Sequence, residues 1–453
     1  MKILLIQPRC SAEISEEVFM HEPLALEYLG AGLKLDGHEV ELVDARIEPG
    51  IDGAFKRFNP QVAGITGYTN QVPIVRDIAA RLKKINPDVF IVVGGHHATV
   101  MPDDFNQASI DIVVIGEGVT AIREIAKRLE HGKSFEDVSG LGLPGAEMRF
   151  TERRVHPDLD YLPFPDRTLT EKYREKYFNE WLKPLASIRT SLGCTSRCSF
   201  CALWAITDGK YLRRSPESVV AELKTVRETN VFFCDDESMC DVKRMKRLGD
   251  MIQEAGIKKN FFLYARVDTV VRHPDLFRQW RNIGLTQVFV GMETFSDSRL
   301  KDLNKGITTQ QQAQAVKVLD ELGILLYGNF IVDPAFKRED FKDLVRYVRG
   351  LNLKYASFSV LTPLPGTALY KEREAELLTK RHDLFDFMHT VLPTTLPLKE
   401  FYAELSWLYG HALPVRHRIG ILRKYGWVRA LKLVKKYPHI FAKLKQRYKE
   451  AEA

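Results

Sequence analysis

A repeating alternation of strand-like and helix-like stretches constrains the fold most. KILLI (2–6), EVELV (39–43), VAGIT (62–66), FIVVG (90–94) and IVVIG (112–116) are short apolar runs rich in β-branched residues. Amphipathic stretches separate them, such as LALEYLGAGLKLDG (24–37) and IVRDIAARLKKINP (74–87), each closed by Gly or Pro. Strands that are apolar throughout are buried on both faces, and their alternation with helices predicts a doubly wound, parallel α/β sheet. The ligand crevice of such a sheet lies beyond the carboxyl ends of its strands. Those ends carry Gln7-Pro8, Thr66-Gly67, Gly94-Gly95-His96 and Gly116-Glu117-Gly118.

A poorly periodic stretch, RFTERRVHPDLDYLPFPDR (149–167), reads as a linker pinned by prolines. A second series then begins, with strand candidates SIRTS (187–191), VFFC (231–234), FFLYA (261–265), QVFVG (287–291), LLYGNFIV (325–332) and YASFSVL (355–361). Helical segments separate every pair, which predicts a (βα)6 barrel or partial barrel. The expected division is an α/β domain at 1–145, a linker at 146–185, the partial barrel at 186–400 and a basic helical extension at 401–453.

Apolar content of 45% with 28% charged residues is that of a globular chain. No apolar run approaches the ~18 residues of a spanning helix. The opening MKILLIQP is too short in its apolar part for a signal peptide, so the expected location is cytoplasmic. Six cysteines in a reducing compartment point to metal or redox chemistry rather than disulfides.

Three of them, Cys194, Cys198 and Cys201, are spaced CxxxCxxC in RTSLGCTSRCSFCALW, directly after the first strand of the second series. A structural zinc site takes four protein ligands, usually from two close pairs, and Cys234 and Cys240 form no such pair. A cubane iron–sulfur cluster held by three thiolates keeps one iron open for an exogenous ligand. A zinc loop is the alternative reading of the same residues.

With this motif at that place, the chain resembles the radical SAM enzymes. The resemblance implies a [4Fe–4S] cluster on Cys194, Cys198 and Cys201, whose open iron chelates S-adenosylmethionine and whose electron cleaves it to a 5′-deoxyadenosyl radical. Carried over position by position, CDDES implies Asp235 and Asp236 near the cofactor's amino group. YARVD implies Arg266 for its carboxylate, and GMET implies Glu293 near the ribose or amino acid moiety. Phe200 and Trp204 are candidates to cover the cluster, or ordinary packing residues. TPLPGTALY (362–370) is similar to the closing segment of the subfamily with an N-terminal cobalamin domain; its prolines and Gly366 fix backbone shape.

The domain ahead of the barrel, with VVGGHHAT and GEGV at strand ends, looks like a cobalamin-binding domain. Gly94, Gly95, His96, Gly116, Glu117 and Gly118 are the expected cofactor contacts. The DxHxxG signature is absent, so no cobalt ligand is named. The combination implies a methyltransferase that moves a methyl group from S-adenosylmethionine to an unactivated carbon, and no acid/base dyad marks a catalytic residue. NFIVDPAFKREDF (329–341) and LFDFMHTVLPTTLPLKEFYAEL (384–405) resemble segments of hopanoid methylases, with departures around the cluster loop and at CDDESMC. The sister group of bacteriochlorophyll side-chain methylases is therefore the first expectation and a hopanoid C-3 methylase the second. A radical SAM cyclase or RNA-modifying enzyme without methyl transfer stands behind both.

The net charge of +7 sits in the tail. From Arg416 to Ala453 there are 12 Lys/Arg against 2 Glu, which leaves 54 Lys/Arg against 57 Asp/Glu elsewhere. That near-neutral body gives no expectation of nucleic-acid binding. Leu422, Tyr425, Val428, Leu431 and Val434 recur at near-helical spacing among Arg423, Lys424, Arg429, Lys432, Lys435 and Lys436. This pattern suits either peripheral contact with an anionic membrane or a helix packed on the barrel. The expected partners are an apolar polycyclic small molecule and an electron donor such as flavodoxin or ferredoxin.

Overall fold

The structure, a computed structural model, describes residues 1–10, 18–179, 182–413 and 442–452. It divides into two compact units: Met1–Thr195 with Ala202–Asp236, and Ser196–Cys201 with Glu237–Ala453.

The first unit contains β1 (Lys2–Gln7), β2 (Glu39–Asp44), β3 (Val62–Thr66), β4 (Phe90–Gly94), β5 (Ile112–Val114), β6 (Leu141–Leu143) and β7 (Arg149–Phe150). They form a seven-stranded sheet in the order β2-β1-β3-β4-β5-β6-β7. The first five strands are parallel and the last two antiparallel. Alternate residues serve opposite faces. Leu4, Ile6, Ile65, Ile91 and Val93 pack with Phe55 and Phe58 of α2 (Ile51–Phe58) and Val75, Ile78 and Leu82 of α3 (Val72–Ile85). Ile3, Leu5, Leu42, Val92 and Ile112 pack with Leu26 and Leu33 of α1 (Leu24–Leu35) and Ile122 and Ile125 of α4 (Gly118–Glu130). Burial on both sides explains the continuous apolar runs. Strand order reverses between β1 and β3, where Gln7 and Thr66 end their strands.

The same unit holds β8 (Leu185–Ile188) parallel to β9 (Asn230–Phe233), with α5 (Pro216–Thr225) on the connection. The stretch Arg167–Lys176 is a series of 3-10 turns stitched in by buried charges. Arg174 pairs with Glu22 and Glu228, and Arg167 Nη2 donates to the Ser187 carbonyl and to Glu222, each at 2.7 Å. Glu22, Glu27 and Glu222 are all buried. The strand expected at 187–191 is displaced: β8 begins at Leu185 and stops at Ile188. It stops there because the next amides, of Thr190 and Ser191, turn to the Asp235 carboxylate.

In the second unit β10 (Asn260–Ala265), β11 (Leu285–Glu293), β12 (Leu325–Val332) and β13 (Tyr355–Val360) pair in succession, all parallel. Before, between and after them run α6 (Val242–Glu254), α7 (Pro274–Asn282), α8 (Thr309–Glu321), α9 (Arg338–Gly350) and α10 (Leu398–His411). Leu263, Val288, Val290, Leu326 and Phe330 are buried, whereas the alternate positions Tyr264, Phe289, Tyr327 and Tyr355 are half-buried. These four lie directly across from one another in register. Their ring centroids are 5.1, 5.4 and 6.0 Å apart, an unbroken aromatic ladder over four strands. The fold class is the one expected, a doubly wound α/β domain followed by a partial (βα)6 barrel. The amphipathic stretch from Leu422 to Lys436 lies outside the described residues. No helix of the described residues is long and apolar enough to cross a membrane.

Candidate functional site

Cys194, Cys198 and Cys201 are half-buried, and no cysteine forms a disulfide. Backbone bonds hold the loop that bears the latter two. Cys201 N donates to the Cys198 carbonyl (3.1 Å), Ser199 N to Leu303 O (3.0 Å), and Leu369 N to Ser199 O (2.9 Å). Asn304 Nδ2 donates to the Arg197 carbonyl at 2.7 Å. At the entrance, Gly193 has φ +93°, and a Cβ there would collide with the Lys210 carbonyl. A side chain at 193 is therefore excluded both by backbone conformation and by space.

The two aspartates of CDDES have different surroundings. Asp235 is buried and accepts from Thr190 N (2.6 Å), Thr190 Oγ1 (2.6 Å) and Ser191 N (2.8 Å), which ties the end of β8 to the end of β9. Asp236 accepts from Gly193 N at 2.6 Å, and burial pushes its carboxyl above the usual range. Neighbouring Glu237 is buried as well and accepts from Arg266 N at 3.4 Å. Burial outweighs the nearby Arg266 and raises Glu237 to about 7.

Arg266 stands at the carboxyl end of β10. Its Nε bonds Asp268 at 2.9 Å, its Nη2 the Lys305 carbonyl at 2.7 Å, and its Nη1 reaches Cys198 Sγ at 3.8 Å. Glu293, buried at the end of β11, pairs with the buried Lys305 ammonium. Thiolate is the form of cysteine that ligates iron. Cys198 and Cys201 on this loop, with Arg266 against Cys198, have the donor chemistry that a cluster takes.

At the ends of β4 and β5 the expected cofactor contacts differ in how their atoms are used. Gly95 has φ +102°, and a Cβ there would lie 2.5 Å from Thr66 Oγ1, so this glycine closes the turn onto β3. Gly94 and Gly118 face Val114 and Leu29, whereas Gly116 (φ +86°) has open space around it. The Glu117 carboxylate caps α4, accepting from Val119 N and Thr120 N. His97 is buried and bonded through Nδ1 to Thr69 Oγ1 (3.1 Å) and through Nε2 to Asp104 (2.8 Å). His96, by contrast, has a buried Nδ1 without a hydrogen-bond partner, and burial lowers the ring to about 4. A neutral imidazole with an unused nitrogen, 5.7 Å from the Tyr68 ring, suits a bound polar or metal-bearing cofactor.

Sequence reasoning passed over Glu237, Lys305 and Gly291. Glu237 lay within the CDDES motif, but nothing in the chain says which of three adjacent acids is buried and protonatable. Lys305 in LNKG has no periodic or motif signal.

Two family models match this chain, the B12 binding domain over residues 16–126 and the radical SAM superfamily over 188–348. The hopanoid C-3 methylase of Methylococcus capsulatus is 32% identical over 416 residues, covering 89% of this chain and 79% of its own. The bacteriochlorophyllide d C-8(2)-methyltransferase of Chlorobaculum tepidum is 25% identical, covering 78% and 77%. The structure of OxsB, a cobalamin-dependent S-adenosylmethionine radical enzyme with aqua-cobalamin and S-adenosylmethionine bound, superposes with a TM-score of 0.75 at 17% identity, over 98% of this chain and 71% of that one. The cofactors are accordingly a [4Fe–4S] cluster, S-adenosylmethionine and cobalamin. The two domain matches and the 32% identical relative place the chain, with its CxxxCxxC cysteines, in the family of cobalamin-dependent radical SAM methyltransferases.

Proposed function

We propose that this methyltransferase acts on an unactivated carbon of an apolar polycycle. The observation that carries the reading is the ladder Tyr264–Phe289–Tyr327–Tyr355, a half-buried apolar surface on four adjacent strands. Aromatic faces offer contact area without demanding hydrogen bonds from a ligand. Of the two substrate classes expected, we place the hopanoid first, because the relative of that activity is 32% identical and the bacteriochlorophyllide enzyme 25%. The chlorin is the second reading. Phe289, Tyr327 and Tyr355 stack nearly parallel, at 17° between successive rings, and form a continuous aromatic strip that suits an apolar macrocycle.

In this reading Cys194, Cys198 and Cys201 hold the cluster. Arg266, Asp236 and Glu293 orient S-adenosylmethionine by charge, and Asp235 acts at one remove by fixing the loop. Gly94, Gly95, His96, Gly116, Glu117 and Gly118 shape the cobalamin crevice, within a domain of residues 1–145 joined by 146–185 to a barrel of 186–400. When bound, the cofactors supply hydrogen abstraction and a methyl donor. The chain's residues bind and orient them, exclude water and need no general base at the reacting carbon. The electron comes from a flavodoxin- or ferredoxin-type donor, and the extension at 401–453 makes peripheral contact with the membrane where an apolar substrate resides.

Anaerobically reconstituted protein given deuterated-methyl S-adenosylmethionine tests the reading, with a hopene-type triterpenoid in one arm and a bacteriochlorophyllide in the other. Labelled methyl in the triterpenoid is expected. Label in the chlorin alone reverses the order, and label in neither overturns the polycycle.

A further inference from the structure

Lys305 and Glu293 are 8% and 4% exposed, and they form an ion pair. Room for it comes from Gly291, where a Cβ would collide with the Glu293 carboxylate and lie 2.8 Å from Lys305 Nζ. Glu293 folds back over that glycine from a left-handed backbone, φ +62°, at a bulge in β11. Such a conformation costs a non-glycine residue and persists only where its surroundings hold it.

The other side of Lys305 faces the cysteine loop. Its carbonyl accepts from Arg266 Nη2 at 2.7 Å, while Arg266 Nη1 reaches Cys198 Sγ at 3.8 Å. Its Nζ is 5.9 Å from the centroid of Phe200, two residues after Cys198. A buried ion pair is a poor device for stability alone, since desolvation offsets the attraction. What a fixed cation beside a thiolate-held cluster does is favour the state with one more electron.

We propose that Lys305 is a positioning residue that raises the reduction potential of the cluster, acting with Arg266 on the Cys198 side while Glu293 restrains the effect. The inference rests on Cys198 being a cluster ligand. Redox titration of the reconstituted full chain without S-adenosylmethionine, followed by the paramagnetic signal of the reduced cluster, tests it. In K305M the ratio of reduced to oxidised cluster at the wild-type midpoint falls about tenfold, equal to about 59 mV for a one-electron couple. K305R stays near wild type, and E293Q shifts the midpoint upward. A K305M protein with full iron and sulfide and an unmoved midpoint overturns the proposal. Should K305M lose iron, E293Q decides, and an unchanged midpoint there overturns it equally. A wild-type chain that assembles no cluster defeats the cysteine assignment itself, an outcome distinct from a cluster insensitive to Lys305.

Discussion

Asp235 clamps Thr190: one carboxylate oxygen takes the backbone N–H and the other the hydroxyl, both at 2.6 Å. The Ser191 amide shares the first oxygen at 2.8 Å. The clamp lies three residues before Cys194 in sequence and next to Asp236, which holds Gly193. Replacing Asp235 by alanine withdraws a buried acceptor from three donors and is expected to cost about 3 kcal/mol. A lower thermal midpoint and reduced iron per chain after reconstitution are the measurements. Asp235→Asn keeps one acceptor and should fall between the two. An alanine variant with wild-type iron content and stability would contradict the clamp.

Glycine 193 is expected to be intolerant of any side chain. Gly193→Ala combines a φ of +93° with a collision against the Lys210 carbonyl. Strain of about 1–3 kcal/mol follows, relieved by moving the loop. The variant should remain folded by circular dichroism yet bind markedly less iron than wild type.

The cysteines divide into two chemical classes. Cys234 packs against the cluster of Leu24, Tyr28 and Val119, and burial pushes its thiol up to about 12. Alkylation of the unfilled protein at pH 7.5 should therefore spare Cys234 and modify the CxxxCxxC thiols first, read by peptide mass. Cys234→Ala should keep its iron, whereas alanine at Cys198 should abolish the cluster absorbance. Rapid alkylation of Cys234 would show that the surrounding apolar packing opens in solution.

Much of this architecture is legible in the chain, for a physical reason. Strands buried on both faces are apolar throughout, and β3, β4 and β12 have the very limits expected from VAGIT, FIVVG and LLYGNFIV. Leu141–Leu143 and Arg149–Phe150 escape notice because three- and two-residue strands have no periodicity to read. Glu22, Arg167, Arg174 and Glu222 carry no signal in the sequence, since pairing across 55 and 152 residues leaves no local mark. The CxxxCxxC cysteines are legible as a candidate group because a metal would impose such spacing on one loop. Lys305 and Gly291 are not, because their relation to Glu293 exists only once β11 bulges.

Glu237 should make stability depend on pH. Its folded value of about 7 lies above that of an unfolded glutamate, so the folded chain holds a proton that the unfolded one has released between roughly pH 4.5 and 7. The contribution is fully present below about pH 4.5 and is lost as pH rises through 7, a loss of about 3 kcal/mol. Glu237→Gln removes it. His21 and His96, both lowered to about 4, act in the opposite sense, but they are common to both proteins and cancel in the comparison. The difference in thermal midpoint between wild type and Glu237→Gln should therefore grow from pH 5 to pH 8. A constant difference would refute the buried, protonated carboxyl.

The aromatic ladder makes a demand on kinetics rather than on folding. Phe289 and Tyr327 stack at 5.4 Å, and Tyr327 meets Tyr355 at 6.0 Å, so Tyr327 is the rung with stacked neighbours on both sides. Its half-buried ring presents apolar area to a polycycle, and removing such a contact is worth about 1–3 kcal/mol of binding. Tyr327→Leu keeps apolar volume and should raise KM only a few-fold, while Tyr327→Ala should raise it about tenfold or more. Cobalamin and iron contents should stay at wild-type values in both, because the cofactor residues of the reading lie at strand ends and in the cysteine loop rather than at this rung. If kcat fell and KM did not, or if cofactors were lost, the ladder would be part of the scaffold and the substrate would bind elsewhere.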